Sequence, residues 1–344
     1  MRAIQLTAPG TLEQVEVPTP APGPGEALLA TAAVGACHSD LHILDAPAGA
    51  YPTPMTIGHE ISGRIVGLGA GVTGWSEGES VAVYGIIGCG RCRACLRGWE
   101  NQCRTVPIGG IGISRDGGLA EYVVVPADRL LPLGELDPVQ AAPLTDAGLT
   151  PYHAIGINRD ALRPGTCCVV IGIGGLGHMA VQILAVTTAV TIIAVDTSDA
   201  ALRLAKRMGA HHTVAAGPTA VEQIRELTGP APDGADVVLD FVCVDATLAT
   251  ARQVVSTGGQ LTLVGLGGGS LCLAATVAHP PPVPMETNAI IPFWGTRAEL
   301  AEVIALAGQG LLRAEVQTFA MAEAVRAYGQ LRAGDVHGRA VLVP

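Results

Sequence analysis

The most constraining feature of the sequence is a glycine-rich turn between a buried apolar run and a helical stretch. Residues 169–177 read VVIGIGGLG, which places Gly172, Gly174 and Gly177 in a G-x-G-x-x-G pattern. Gly172 permits a tight turn, Gly174 lets the backbone approach a bound phosphate, and Gly177 lets the helix pack closely on the strand. The pattern predicts the first βαβ unit of a doubly wound parallel sheet.

The residues after this turn predict a bound dinucleotide. Gly175 and Leu176 lead into a helix whose first N–H groups and positive dipole end attract a pyrophosphate. The next strand ends in Asp196, 19 residues after Gly177. A carboxylate there accepts hydrogen bonds from ribose hydroxyls and repels a 2′-phosphate. We therefore expect a Rossmann domain that binds NAD rather than NADP; a purely structural turn is the alternative.

The alternation of strands and helices extends over much of the chain. From about Thr150, strands alternate with helices, at 167–172, 176–186, 191–196, 199–208, 236–241, 246–255 and 260–266. Earlier residues form short β-type runs between Gly and Pro clusters, at 27–31, 61–68, 80–83 and 120–125. They predict a mostly antiparallel β domain. The chain then ends in two helices and a strand, at 297–307, 322–333 and 339–343.

Composition limits the possible partners. With 344 residues and 49% hydrophobic content, the chain can form about two domains with buried sheets. A formal net charge of −10 disfavours binding to nucleic acid or to an anionic membrane. Gly or Pro breaks the apolar stretches well short of the ~20 residues that span a bilayer. The first residues do not resemble a targeting segment, so we expect a cytoplasmic protein.

Four of the nine cysteines are concentrated in one short segment. Cys89, Cys92, Cys95 and Cys103 can wrap one tetrahedral Zn²⁺. Four sulfur ligands leave no position for a substrate, so this zinc would be structural. Free or disulfide-paired cysteines are the alternative, which the odd total of cysteines disfavours.

A second, dispersed set is suited to a catalytic zinc. Cys37, His59 and Asp146 provide three ligands and leave one position open. Each residue also has an ordinary interpretation: Cys37 as a small buried side chain, His59 as a core histidine, and Asp146 as a cap for the following helix. Spacing alone does not decide between these interpretations.

These motifs together resemble the zinc-containing medium-chain alcohol dehydrogenases over essentially the full length. The matching segments are 35–42 (GACHSDLH), 58–60 (GHE), the four-cysteine loop and the glycine fingerprint. Residues 143–154 (PLTDAGLTPYHA) look most like the bacterial secondary-alcohol dehydrogenase and phenylacetaldehyde reductase branch. The resemblance implies an α/β architecture with a GroES-like catalytic domain, 1–149 completed by 290–344, and a Rossmann domain, 150–289. It also implies a homo-oligomer, dimeric or tetrameric.

The resemblance assigns roles around the catalytic zinc. It implies that Cys37, His59 and Asp146 are the ligands, although many relatives carry Cys at the third position. Glu60, beside the histidine, lies near the metal in relatives and can help to exchange its ligands. It is the second candidate for the third ligand.

The resemblance also implies a proton path and phosphate contacts. Asp40 matches the residue that fixes the histidine tautomer, with an ordinary helix-start acid as the alternative. Ser39 and His42 match the proton-relay positions, although some relatives use water in place of the histidine. His38 and Arg339 match pyrophosphate contacts. A surface histidine and a solvated arginine are the alternatives for His42 and Arg339.

One position departs from the family pattern. Relatives often place Lys or Arg five residues after the ribose-binding acid, whereas this chain has Ala201, with Arg203 nearby. The departure affects the expected strength of NAD binding and leaves the identity of the cofactor unchanged.

The expected activity is therefore zinc-dependent hydride transfer between NAD(H) and an alcohol or carbonyl compound. Resemblance places four residues at an apolar substrate pocket, which favours secondary or aryl substrates: Tyr51, Leu119, Phe293 and Trp294. Core packing is the alternative for these side chains. The rival functions are a polyol or amino-alcohol dehydrogenase, a zinc-independent quinone or enoyl reductase, and a nucleotide-binding protein without catalysis.

Overall fold

The computed structural model describes residues 1–106, 109–228, 234–273 and 281–344. The chain forms two compact units, Met1–Leu149 with Thr296–Pro344, and Thr150–Gly295. The sequence placed the second boundary after residue 289. That position falls within the strand Asn288–Ile290, which pairs with the sheet of the second unit. The second unit therefore extends to Gly295.

Turns and loops connect the strands and helices along the described part of the chain. The strands are β1 (Arg2–Ala8), β2 (Thr11–Glu16), β3 (Glu26–Ala36), β4 (Met55–Thr56), β5 (Glu60–Leu68), β6 (Ser80–Val83), β7 (Tyr122–Pro126), β8 (Leu130–Pro132), β9 (Cys167–Ile171), β10 (Thr191–Asp196), β11 (His212–Ala215), β12 (Ala235–Asp240), β13 (Val255–Leu263), β14 (Asn288–Ile290), β15 (Val316–Ala320) and β16 (Arg339–Val343). The α-helices are α1 (His38–Leu44), α2 (Pro138–Ala141), α3 (Leu149–Ile157), α4 (Gly177–Thr187), α5 (Asp199–Arg207), α6 (Ala220–Thr228), α7 (Asp245–Val254), α8 (Arg297–Gly308) and α9 (Ala324–Ala333). Short 3₁₀ turns occur at Cys95–Arg97, Glu100–Gln102, Ala127–Arg129, Ala142–Thr145 and Met321–Glu323.

The first unit is organised around the long strand β3. One sheet has the order β15-β16-β3-β5-β6-β8, with β7 also paired to β3, and a smaller sheet has the order β2-β1-β4. Strand β3 runs antiparallel to β5, β7 and β16. Apolar side chains from β3, α1 and α9 share one buried cluster, so the C-terminal segment contributes to the same core as the first residues.

The second unit contains one parallel sheet of order β11-β10-β9-β12-β13-β14. Numbered within the unit this is 3-2-1-4-5-6, the order of dinucleotide-binding sheets. Every residue of β9 is buried, as expected for a central parallel strand covered on both faces. The chain order reverses between β9 and β12, and the carboxyl ends of such strands form the ligand crevice in this fold.

Over residues 1–106, 109–228, 234–273 and 281–344, no helix is both long enough and apolar enough to cross a bilayer.

Candidate catalytic metal site and cofactor-binding turn

Three separate segments of the first unit bring Cys37, His59 and Asp146 together. Cys37 lies between β3 and α1, and His59 immediately precedes β5. The antiparallel register pairs Gly35 with Glu60, so the ends carrying Cys37 and His59 are adjacent. Asp146 follows the 3₁₀ turn Ala142–Thr145. All three side chains are buried, and their ligand atoms lie within 4.8 Å of one another.

The spacing of these atoms fits a tetrahedral metal ion. Cys37 Sγ lies 3.4 Å from Asp146 Oδ2, and His59 Nε2 lies 3.5 Å from the same oxygen. Ligands placed about 2.3 Å and 2.0 Å from a tetrahedral zinc are themselves roughly 3.5 Å apart. A thiolate, an imidazole and a carboxylate are all zinc ligands. The donor set therefore fits zinc and leaves one position open for a substrate oxygen.

Asp40 controls the orientation of two of these residues. The carboxylate of Asp40 is fully buried, its Oδ1 lies 3.0 Å from His59 Nδ1, and its Oδ2 accepts the Cys37 backbone N–H at 2.9 Å. A carboxylate accepts, so Nδ1 carries the proton and Nε2 keeps its lone pair for a metal. Burial lowers the pKa of His59, but Asp40 and Asp146 raise it well above the ordinary value. The site thus favours positive charge where the metal would bind.

Glu60 and Arg339 form a buried ion pair beside Asp146. Arg339 Nε donates to Glu60 Oε2 at 2.9 Å, and Arg339 Nη2 lies 3.4 Å from Asp146 Oδ2. Glu60 Oε1 also accepts the N–H of Ala147 at 3.0 Å, which fixes the backbone after Asp146. Burial raises the pKa of Glu60 to about 7, although the Arg339 charge opposes this shift. Glu60 lies outside the set of ligand atoms in this structure, and Arg339 is directed into the protein, so its predicted phosphate contact stays a prediction.

The predicted relay residues lie along the first helix. Ser39 Oγ is 3.6 Å from Cys37 Sγ and is partly buried. His42 is exposed in the last turn of α1, and His38 is exposed in the first. Ser39 thus lies beside Cys37, and the His42 side chain is open to solvent, while their relay role stays a prediction.

The four cysteines of the loop also converge. Their sulfur atoms lie within 4.8 Å of one another, with separations of 3.5 Å for Cys92–Cys95 and 3.9 Å for Cys92–Cys103. A disulfide would place the sulfurs only about 2.05 Å apart, whereas sulfurs around a tetrahedral zinc are separated by roughly 3.8 Å. A hydrogen bond from Thr105 helps to lower the pKa of Cys89 to about 5, while burial raises that of Cys95 to about 12. A cation bound among the four sulfurs would favour their thiolate form.

The fingerprint turn joins β9 to α4 in the second unit. Gly172 has a φ of +85°, and a Cβ added to Gly177 would meet the carbonyl oxygen of Gly172 at 1.8 Å. Gly174 is exposed, and a Cβ added to it would point into open space. Asp196 Oδ2 accepts the N–H of Ile173 at 2.7 Å, so the carboxylate at the end of β10 also holds the turn. Sequence reasoning predicted the acid as a ribose acceptor and missed this contact.

Comparison with known proteins identifies the family. A family model described as the alcohol dehydrogenase GroES-like domain matches residues 23–135, and one described as zinc-binding dehydrogenase matches residues 175–309. An NAD-dependent alcohol dehydrogenase of Sulfurisphaera tokodaii is 36% identical, covering 100% of this chain and 99% of that protein. The chain belongs to the zinc-containing medium-chain alcohol dehydrogenase family. The family resemblance and the fold class predicted from the sequence are confirmed.

Solved structures agree with this assignment. The alcohol dehydrogenase of Aeropyrum pernix superposes with a TM-score of 0.92 at 33% identity, covering all of both chains. The acetophenone reductase of Geotrichum candidum, in complex with NAD, gives a TM-score of 0.83 at 30% identity over 99% of this chain and 96% of that one.

The residues predicted for the substrate pocket of this alcohol dehydrogenase family member differ in their surroundings. Tyr51 is partly buried against the core of the first unit, and Leu119 is fully buried within that core. In the second unit, Phe293 is 36% exposed and packs edge-on against the buried Trp294, with ring centroids 6.2 Å apart. Trp294 has a φ of +53°, a conformation that a bulky residue rarely adopts. Leu119 has no exposed surface, so it packs in the interior of the first unit.

Sequence reasoning also missed Tyr328. Its hydroxyl donates to Asp40 Oδ2 at 2.9 Å, from a helix near the C-terminus. Nothing in its local sequence distinguishes it from a core residue of an amphipathic helix, because its partner lies 288 residues away.

Proposed function

We propose that this chain is an NAD-dependent alcohol dehydrogenase that interconverts apolar secondary or aryl-bearing alcohols and their carbonyl forms. The family assignment supports the enzyme class and the cofactors, zinc and NAD. The observation that carries the proposal is the convergence of Cys37, His59 and Asp146 on one buried point. Convergent ligands with an open fourth position are expected of a catalytic zinc site.

The cofactors supply the reactive groups, and the side chains of this protein hold and orient them. When bound, zinc polarises the C–O bond of the substrate, and the nicotinamide accepts or donates the hydride. Asp40 holds the tautomer of His59 that can coordinate. In this proposal Ser39, next to Cys37, takes the substrate hydroxyl proton, and the exposed His42 returns it to solvent. The Arg339 guanidinium compensates the negative charge of Glu60 behind Asp146.

Two observations support the apolar substrate class. Phe293 and Trp294 form an aromatic pair in a chain with 3% aromatic residues. One of the similar solved structures is an acetophenone reductase, an enzyme whose name specifies an aryl ketone. A second similar structure is a D-arabinose dehydrogenase, with a TM-score of 0.84 at 27% identity, so a polyol substrate is the competing outcome of a substrate test.

The experiment combines metal analysis with turnover. Zinc per subunit is measured for wild type, Cys37→Ser and Cys272→Ser, an exposed cysteine outside both ligand sets. NADH oxidation is followed with acetophenone, phenylacetaldehyde and a ketose. We expect two zinc ions in wild type and in Cys272→Ser, one in Cys37→Ser, and turnover only where two are present.

The outcomes separate the parts of the proposal. If Cys37→Ser retains both zinc ions and full activity, the ligand set is wrong, and a zinc-independent reductase becomes the better hypothesis. Loss of zinc and activity together with a preference for the ketose retains the zinc site and replaces the aryl substrate class by a polyol class.

A further inference from the structure

We infer that Tyr328 is a positioning residue for the catalytic metal, acting through Asp40. The inference rests on the proposed ligand set of Cys37, His59 and Asp146. Tyr328 lies on α9 in the C-terminal segment, whereas the groups it influences are at the start of α1 and before β5.

The contacts place Asp40 at the centre of a three-donor arrangement. Its two oxygens receive the His59 ring N–H, the Cys37 backbone N–H and the Tyr328 hydroxyl, at 3.0, 2.9 and 2.9 Å. Asp40 has 0% exposed surface and Tyr328 has 3%. One carboxylate therefore orients two metal ligands at once, and a third donor from a distant helix fixes that carboxylate.

The tyrosine hydroxyl is important because Asp40 has no surface exposed to solvent. A buried carboxylate that loses a hydrogen bond remains under-solvated, so it shifts toward its other donors or toward a new one. Such a shift disturbs the orientation of the His59 ring and of the Cys37 backbone. Groups that orient metal ligands in this way change metal affinity by about 10–100-fold when they are removed.

The chain offers a matched control on the same helix. Arg332 of α9 donates twice to Asp45, which follows α1, with both distances at 2.7 Å. This ion pair also ties α9 to the end of α1, but it is solvent-exposed and does not touch Asp40. Tyr328→Phe removes one hydroxyl and keeps the ring in the core, whereas Arg332→Ala removes a helix tie and leaves the Asp40 contacts intact.

The test measures metal affinity rather than turnover. Holoenzyme is titrated with a chromophoric zinc chelator, and the release of each zinc is resolved for wild type, Tyr328→Phe, Arg332→Ala, Cys37→Ser, Asp40→Asn and the Tyr328→Phe/Asp40→Asn double variant. We expect Tyr328→Phe to weaken one zinc site by about 10–100-fold. The four-cysteine site should be unaffected, and Arg332→Ala should resemble wild type at both sites. In the Asp40→Asn background, Tyr328→Phe should add less than about threefold.

Four results would overturn the inference. Affinity within about threefold of wild type in Tyr328→Phe would show that the hydroxyl is not needed, and equal weakening of both zinc sites would show a general loss of stability. Additive effects of Tyr328→Phe and Asp40→Asn would remove Asp40 as the link. Cys37→Ser distinguishes this failure from that of the proposed function: if that variant keeps both zinc sites, the ligand set itself is wrong and the inference fails with it.

Discussion

At the scale of single residues, the ion pair between Glu60 and Arg339 shows how much of the site is held by charge rather than by apolar packing. Both side chains are almost completely buried, and Arg339 also approaches Asp146. Burying such a pair costs desolvation energy, so its net contribution to the free energy of folding is small while both partners are present. Removal of either partner leaves an uncompensated charge in the interior.

We therefore expect Arg339→Ala to be strongly destabilising. The free energy of unfolding should fall by about 3–5 kcal/mol, because Glu60 loses its buried partner. Arg332→Ala breaks an exposed ion pair between two solvated charges, so the loss should be far smaller. Urea unfolding of the two zinc-loaded variants provides the comparison. Equal losses in the two variants would contradict the role given to the buried pair.

Asp146 provides a second prediction at the residue scale. Its carboxylate carries the same charge as a cysteine thiolate, and a longer Zn–S bond compensates for the shorter side chain. Asp146→Cys should therefore retain two zinc ions per subunit, whereas Asp146→Ala should retain one. Elemental analysis of both variants decides this. Two zinc ions in Asp146→Ala would mean that the third ligand is another group, with Glu60 as the first candidate.

The sequence predicted the ligand set and Asp40 as the partner of His59, but not the contacts that Arg339 and Tyr328 make around them. Cys37, His59 and Asp146 each had an ordinary alternative, and the β3–β5 register with the following 3₁₀ turn is what joins them. That register depends on pairing across the chain, which local patterns do not contain. The contacts of Arg339 and Tyr328 depend on the return of the C-terminal segment, so sequence distance hid both.

At the scale of elements, the turn between β9 and α4 contains glycines with two different roles. Gly177 allows close packing, because a Cβ there would overlap the Gly172 carbonyl. A Cβ at Gly174 would meet no other atom, so the missing side chain there leaves room for a ligand to approach the backbone. Gly177→Ala should therefore lower stability and NAD affinity together. Gly174→Ala should lower NAD affinity with little change in Tm, as measured by calorimetry and NADH fluorescence. A large fall in Tm in Gly174→Ala would contradict this division.

The four-cysteine loop is an element that depends on its metal. Between Cys89 and Cys103 the chain forms only two 3₁₀ turns, and Asn101 is its buried residue. Without an apolar core, metal binding supplies the folding free energy of such a segment. Chelation should make the loop sensitive to trypsin at Arg91, Arg93 and Arg97, and zinc should restore resistance. Mass spectrometry of early fragments checks this; early cleavage elsewhere would show that another segment opens first.

Element prediction from the sequence succeeded where the hydrophobic pattern was strong. The bounds of β10 and β16 match the predicted 191–196 and 339–343, and the predicted helix at 297–307 differs from α8 by one residue. Strand β11 and helix α6 were missed. Strand β11, His212–Ala215, has one buried residue and three exposed ones, because it lies at the sheet edge. It therefore lacks the apolar run that identifies a central strand.

At the scale of the whole molecule, the edge strand β14 leads to a prediction about assembly. In the described part of the chain, β14 pairs with β13 on one side, and all three of its residues are exposed. Large apolar side chains lie nearby, with Ile291 72% and Met285 56% exposed. An exposed apolar sheet edge is a surface on which another chain can pair. We therefore predict a homo-oligomer in which a second copy covers this edge, most simply through a two-fold axis.

A charge at this edge should separate the subunits. Ile291→Lys places a charge within the predicted interface, whereas Val325→Lys alters another exposed apolar side chain, on α9 in the first unit. Light scattering after size-exclusion chromatography should give a lower mass for Ile291→Lys than for wild type, and an unchanged mass for Val325→Lys. A monomeric wild type would remove the prediction. Dissociation by Val325→Lys but not by Ile291→Lys would move the interface from the parallel sheet to the unit that carries the zinc ligands.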